Sequence, residues 1–262
     1  MNKQHPTHLE ALTGGNTSGT VYKANNTIRK RWTPATPSIH QYLHHLHTHN
    51  ISVPQPLGQD ENNHQILEYI PGIPALEMPP LSLETLHSIG ALIRQIHDAS
   101  KSFIPAPGAI WETAIQAPGS ELICHNDLAP WNLIIDNEKL VFIDWDASAP
   151  STVLWDLAYA TTSFCLLDIS LSAELSAEKL SAFIQGYGAD NSLRSQLPEA
   201  MKKRVQAMFD LLYSSFKTGN EPWATMYQQG HGEHWAGVCK YVAEHQKVWE
   251  QALDPRKAIS LP

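Results

Sequence analysis

Cysteine is scarce in this chain of 262 residues. The three present, Cys124, Cys165 and Cys239, stand at spacings that pair with nothing, so neither a disulfide framework nor a zinc pattern is expected. No stretch approaches the roughly eighteen apolar residues of a membrane span. The opening MNKQHPTHLEALTGG also lacks the charged-then-apolar run of a secretory signal. A cytoplasmic protein with no membrane partner is the expectation. Basic residues are outnumbered, 18 Lys and Arg against 26 Asp and Glu, for a formal net charge of -8. That balance argues against general nucleic-acid binding. There is no internal repeat and no low-complexity tract. What the chain does have is 42% hydrophobic residues, enough for a real core in one large or two small domains.

The most informative stretch runs from Ile123 to Asp146, ICHNDLAPWNLIIDNEKLVFIDWD. Phosphoryl transfer asks little covalent chemistry of a protein. It needs a carboxylate beside the attacking hydroxyl and oxygen ligands that hold magnesium against the phosphates. Asp127 lies two residues after His125 and five before Asn132, so a tight loop can present a carboxylate and a carboxamide to one cavity. Beyond it, the apolar runs Leu133 to Ile135 and Val141 to Ile143 flank Asp136, Asn137, Glu138 and Lys139, the pattern of a hairpin. Such a hairpin returns Asp144 to the side of Asn132.

HNDLAPWN followed by IDWD resembles the catalytic loop and metal-binding motif of the aminoglycoside phosphotransferase and choline kinase-like group. The resemblance implies an α+β, two-lobed protein-kinase-like fold. A small β-rich N-terminal lobe with one main helix would span residues 1–71 including the hinge, and a larger, mainly helical catalytic and acceptor-binding lobe residues 72–262. It implies Asp127 as catalytic base, His125 as a brace for the catalytic loop, and Asn132 and Asp144 as Mg2+ ligands. Asp156, in WDLAY, would hold the catalytic loop.

Upstream, LTGGNTSGTVYK enters a β-branched run, and its glycines permit the close backbone approach that covers phosphates. Gly15, Thr17, Ser18 and Gly19 are the candidate nucleotide contacts there. In a strand over TIRKRW, Ile28, Lys30 and Trp32 share one face and Arg29 and Arg31 the other. By resemblance Lys30 contacts the α and β phosphates, with Arg29 as the rival if the register slips by one. Pro34 and Pro37 precede a helix with Ile39, Tyr42, Leu43 and Leu46 on its buried face. In many relatives this helix offers a glutamate to the phosphate-binding lysine. Here no acidic residue lies between Ala11 and Gly58, and His40, Gln41 or nothing takes that place. HQILEYI reads as a strand ending at Pro71, and resemblance makes it the hinge, with Glu68, Tyr69 and Ile70 as nucleotide contacts. From Leu83 to His97, apolar residues describe a helix buried along one side, which by resemblance is the helix that supports the catalytic loop.

These readings converge on an ATP-dependent phosphotransferase, with Mg2+ as cofactor and GTP left open as an alternative donor. Its acceptor would be a hydroxyl of a small molecule such as an aminoglycoside, amino alcohol or sugar. The missing helix glutamate keeps a nucleotide-binding regulatory pseudokinase in view. A protein kinase is disfavoured, because only eleven residues separate Asp144 from Asp156 and no Ala-Pro-Glu signature comes after it.

Overall fold

The computed structural model of the protein describes residues 10–12 and 20–257. Five short strands form an antiparallel sheet in the order β1-β2-β3-β5-β4: β1 (Glu10–Leu12), β2 (Val21–Ala24), β3 (Thr27–Arg31), β4 (Pro56–Gln59) and β5 (His64–Glu68). Asn25, at φ 55°, supplies the positive φ of the tight β2–β3 turn. The register places Lys30 opposite Gln65.

Strand β5 ends at Glu68, two residues before the end suggested by the apolar run. The Tyr69 N–H leaves the ladder to bond Asn26 O at 3.1 Å, and Pro71 two residues on has no N–H to give.

Between β3 and β4 lies helix α1 (Thr36–Thr48), with Ile39, Tyr42, Leu43 and Leu46 all buried, as the i, i+3, i+4, i+7 pattern requires. That face enters the same core as Ile123, Leu128, Leu133 and Phe142. The Tyr42 hydroxyl donates to Ile123 O at 3.0 Å and meets Ser100 Oγ at 2.5 Å. Helix α1 is therefore fastened to Ser100 and Ile123, far along the chain, as well as to the sheet.

A two-residue strand, β6 (Ile73–Pro74), leads to helix α2 (Leu83–Ser100), capped by the Ser82 hydroxyl on Thr85 N–H. The segment 103–120 has no helix or strand. Beyond it come strand β7 (Leu122–Cys124), hairpin β8 (Leu133–Asp136) with β9 (Lys139–Phe142), and strand β10 (Ala149–Ser151). The remainder is helical: α3 (Val153–Cys165), α4 (Ala173–Tyr187), α5 (Asn191–Thr218), α6 (Trp223–Met226), α7 (Gly232–Glu244) and α8 (Gln246–Ala252).

Helices α2 and α4 touch backbone to backbone. A Cβ on Gly90 would overlap Phe183 O, and one on Gly186 would overlap His87 O. This contact seats α2 firmly under the loop that α3 and β7 frame. No helix among the described residues is long and apolar enough to cross a membrane.

Candidate active site

Strand β7 is buried along its whole length and delivers the chain to His125. The loop ends in a 3-10 turn, Pro130–Asn132, and the hairpin begins immediately. Its register pairs Leu133 with Phe142, and Ile143 N–H donates to Asn132 O at 2.8 Å. Asp144, the next residue, therefore returns to Asn132, as the spacing of the two apolar runs predicts. It does so at φ 59°, ψ 64°, a left-handed conformation that costs a non-glycine residue about 1 kcal/mol and that concentrates at functional sites.

Asp127 is half-buried. The Asn132 carboxamide donates to its Oδ2 at 2.8 Å and to its backbone carbonyl at 3.0 Å. Burial raises the Asp127 pKa, the nearby Asp144 adds to the rise, and the His125 and hydrogen-bond contributions only partly oppose it. Asn132 Oδ1 accepts no hydrogen bond among the described residues, which leaves a carbonyl oxygen beside Asp144.

His125 is fully buried. Its Nδ1 accepts from Asp127 N–H at 3.3 Å, and its Nε2–H donates to Ile143 O at 3.1 Å. With both nitrogens committed to backbone and its ring against Trp145 at 4.5 Å, it can position Asp127 but cannot touch a substrate. Asp156, 1% exposed, accepts from Asn126 N–H at 2.8 Å and contacts His97 Nε2 at 2.9 Å. His97 Nδ1 meets the Tyr187 hydroxyl at 2.9 Å. His97, Cys124 and Asp156 lie close enough to suggest a metal cluster. Both His97 nitrogens are already bonded, however, and Cys124 Sγ faces Thr152 O at 3.8 Å, so these residues brace the loop.

Lys30 is buried on the inner face of β3. Its Nζ lies 2.6 Å from Asp144 Oδ1 and 2.7 Å from Asp146 Oδ2. Burial would lower the Lys30 pKa, but the two carboxylates outweigh it and the net shift is upward. Asp144 is likewise pushed up by burial and brought below the ordinary carboxylate value by Lys30. Arg29 points the other way, to Asp60 at 3.6 Å. Of the two rivals, only Lys30 meets the Asp144 carboxylate.

At the end of β5, Glu68 N–H bonds Gln55 O and Tyr69 N–H bonds Asn26 O, while Lys23 Nζ covers the Tyr69 ring at 3.8 Å. Both amides are thus spent within the fold. Ile70 differs: with Glu68 and Pro71 it borders a cleft of about 40 Å³ whose other wall includes Ile134 and Val141. Leu133, Ile135 and Phe142 face the main core; Ile134 and Val141, on the opposite face of the hairpin, face the hinge. Period-2 alternation in LIID and KLVF carries that signal. The glycine-loop candidates Gly15, Thr17, Ser18 and Gly19 lie outside the described residues.

Two residues near the centre have no counterpart among the sequence expectations. Asp146 is one. The other is Arg204 of α5, buried, donating to Asn126 O at 3.4 Å and lying 4.1 Å over the Tyr159 ring. Nothing local marks Arg204, since its partners are a loop 78 residues earlier.

The sequence model described as the phosphotransferase enzyme family matches residues 108–201, which include Asp127, Asn132, Asp144 and Asp156. A trifolitoxin immunity protein of Rhizobium leguminosarum bv. trifolii is 26% identical over 202 residues, 70% of this chain and 75% of that protein. Among solved structures, amicoumacin kinase hAmiN in complex with AMP-PNP, Ca2+ and Ami superposes with a TM-score of 0.68 at 14% identity, covering 93% of this chain and 89% of that one. A microcompartment-associated aminopropanol kinase does so with a TM-score of 0.65 at 14% identity, covering 93% of each.

Proposed function

From a chain that resembles the aminoglycoside phosphotransferases and choline kinase-like proteins, in sequence over its catalytic segment and in its protein-kinase-like fold, we propose an ATP-dependent kinase. It transfers the γ-phosphoryl group to a hydroxyl of a small molecule. The carrying observation is the convergence of Asp127, Asn132, Asp144 and Lys30, with Asn132 donating to Asp127 and Lys30 paired to Asp144. Residues 1–71 serve as the nucleotide lobe and 72–262 as the catalytic and acceptor lobe.

The donor chemistry suits Mg2+. Asn132 Oδ1 and the Asp144 carboxylate are hard oxygen ligands, and the neighbouring His125 has its Nε2 committed to Ile143 O. Bound there, Mg2+ would neutralise charge on the phosphates. Lys30 binds the α and β phosphates, and Ile70 offers the hinge contact to the base. The acceptor oxygen forms its bond to the γ-phosphorus as the bond to the ADP oxygen breaks, and the hydroxyl proton passes to Asp127. The hydrogen bond from Asn132 holds that carboxylate in place. Its raised pKa makes it a stronger base than an exposed aspartate, provided it is ionised.

The short segment between Asp144 and Asp156 folds directly into β10 and α3, leaving little chain for a peptide platform, which favours small acceptors over proteins. The fold neighbours named for amicoumacin and aminopropanol are kinases of small molecules, and amino alcohols stand with aminoglycosides and sugars among the candidate acceptors. The pseudokinase reading loses its motive, because Lys30 has acidic partners despite the helix that lacks them. Titrating ATP calorimetrically with and without Mg2+ tests the nucleotide half of the proposal. Metal-dependent binding that Asp144→Ala weakens supports it, and unaltered affinity in that variant would sink the ligand role.

A further inference from the structure

We propose that Asp146 is the positioning residue for Lys30, supplying the counter-charge that a helix glutamate offers in many relatives. The inference rests on Lys30 as the phosphate contact.

Helix α1, TPSIHQYLHHLHT, holds no Asp or Glu. Its residues at the expected place are otherwise engaged. His40 Nε2 contacts Gln65 Oε1 at 3.2 Å, and Gln41 is exposed. Yet the Lys30 ammonium is buried, its side chain 7% exposed, and a buried ammonium without a counter-ion is strongly disfavoured. Asp144 alone could serve in the free protein. If it also ligates Mg2+, one carboxylate answers to two cations and its hold on Lys30 weakens. Asp146, with its Oδ2 2.7 Å from Nζ, can keep Lys30 in place while Asp144 turns to the metal.

Asp146 is well mounted for this. It sits in the 3-10 turn Trp145–Ala147. Trp145 is buried there and donates its Nε1–H to Phe142 O at 2.9 Å, and Ala147 O accepts from the Asn126 carboxamide at 3.2 Å. The acid is thus carried two residues beyond Asp144 on the same chain segment, instead of on helix α1. His40 contacts Gln65, which the β3–β5 pairing sets opposite Lys30, so an acid introduced at position 40 would face the same neighbourhood.

The test uses the full chain and the variants Asp146→Asn, Asp146→Glu and His40→Glu/Asp146→Asn. The readouts are ADP affinity in EDTA, where no metal contributes, and the acylation rate of Lys30 without nucleotide, followed by mass spectrometry. Asp146→Asn should weaken metal-free ADP binding roughly tenfold, the scale of one charge-assisted hydrogen bond, and speed Lys30 acylation. Asp146→Glu should stay near wild type, and the added acid at position 40 should recover the loss. If Asp146→Asn leaves both readouts unchanged and impairs only Mg2+-dependent binding, Asp146 is a metal ligand alone and the inference is overturned. If the wild type binds no nucleotide at all, the proposed function fails, and the acylation rate still decides whether Asp146 holds Lys30.

Discussion

Asp156→Ala tests how the catalytic loop is held. The carboxylate is 1% exposed and serves two partners, Asn126 N–H at 2.8 Å and His97 Nε2 at 2.9 Å. Alanine strands both where water cannot replace the lost acceptor. An unpaired buried polar group costs about 1–3 kcal/mol, so the pair should cost roughly 3–5 kcal/mol. In a chain of this size each kcal/mol lowers Tm by about 2–4 °C, giving a fall of roughly 6–20 °C. Asparagine at the same place differs in kind. Its carbonyl can still accept from Asn126, and its amide can donate to His97 Nε2 if His97 shifts its proton to Nδ1 and donates to Tyr187. The loss should then be about 1 kcal/mol, or roughly 2–4 °C. Thermal unfolding monitored by circular dichroism reads both variants. Equal Tm values for Ala and Asn would refute the idea that Asp156 acts through these two hydrogen bonds.

The same geometry sets other expectations. Gly186→Ala should destabilise by about 1–3 kcal/mol or more, because its methyl would meet the His87 carbonyl across the α2–α4 contact; an unchanged Tm would show that the helices separate freely. Lys30→Met should weaken nucleotide binding roughly ten- to a hundredfold, whereas Arg29→Met, removing a pair to Asp60 at 3.6 Å, should leave nucleotide affinity nearly unchanged and cost less than about 1 kcal/mol of stability; a larger loss of affinity in Arg29→Met than in Lys30→Met would reverse the choice between them. Because burial raises the Asp127 pKa and a general base must be ionised, kcat/KM should fall on acidification with a midpoint above the ordinary aspartate value of about 3.9. A profile flat down to about pH 4 would exclude Asp127 as that base.

Much of this site is legible in sequence because its determinants are local. Asp127 and Asn132 share one short loop, and two apolar runs around a turn return Asp144 to Asn132. The buried face of α1 is equally readable, since a 3.6-residue period needs no partner to be seen. Legibility stops where partners are distant. Asp146 stands two residues from Asp144, but its role emerges only when β3, more than a hundred residues earlier, brings Lys30 across the cleft. Three successive basic residues leave Lys30 and Arg29 as rivals; sheet register and burial separate them. Gly90 and Gly186 carry no local mark of the close approach they permit, and Arg204 reaches the loop from the middle of a long helix.

The most direct measurement is Mg2+-dependent ADP release from the purified protein across a panel of amino alcohols, aminoglycosides, sugars and nucleosides, with Asp127→Ala alongside. Release stimulated by one acceptor class, and reduced roughly 10²- to 10⁴-fold in Asp127→Ala, is the expected result. Stimulated release that Asp127→Ala retains at the wild-type rate would contradict the assignment of Asp127 as the group that receives the acceptor's proton.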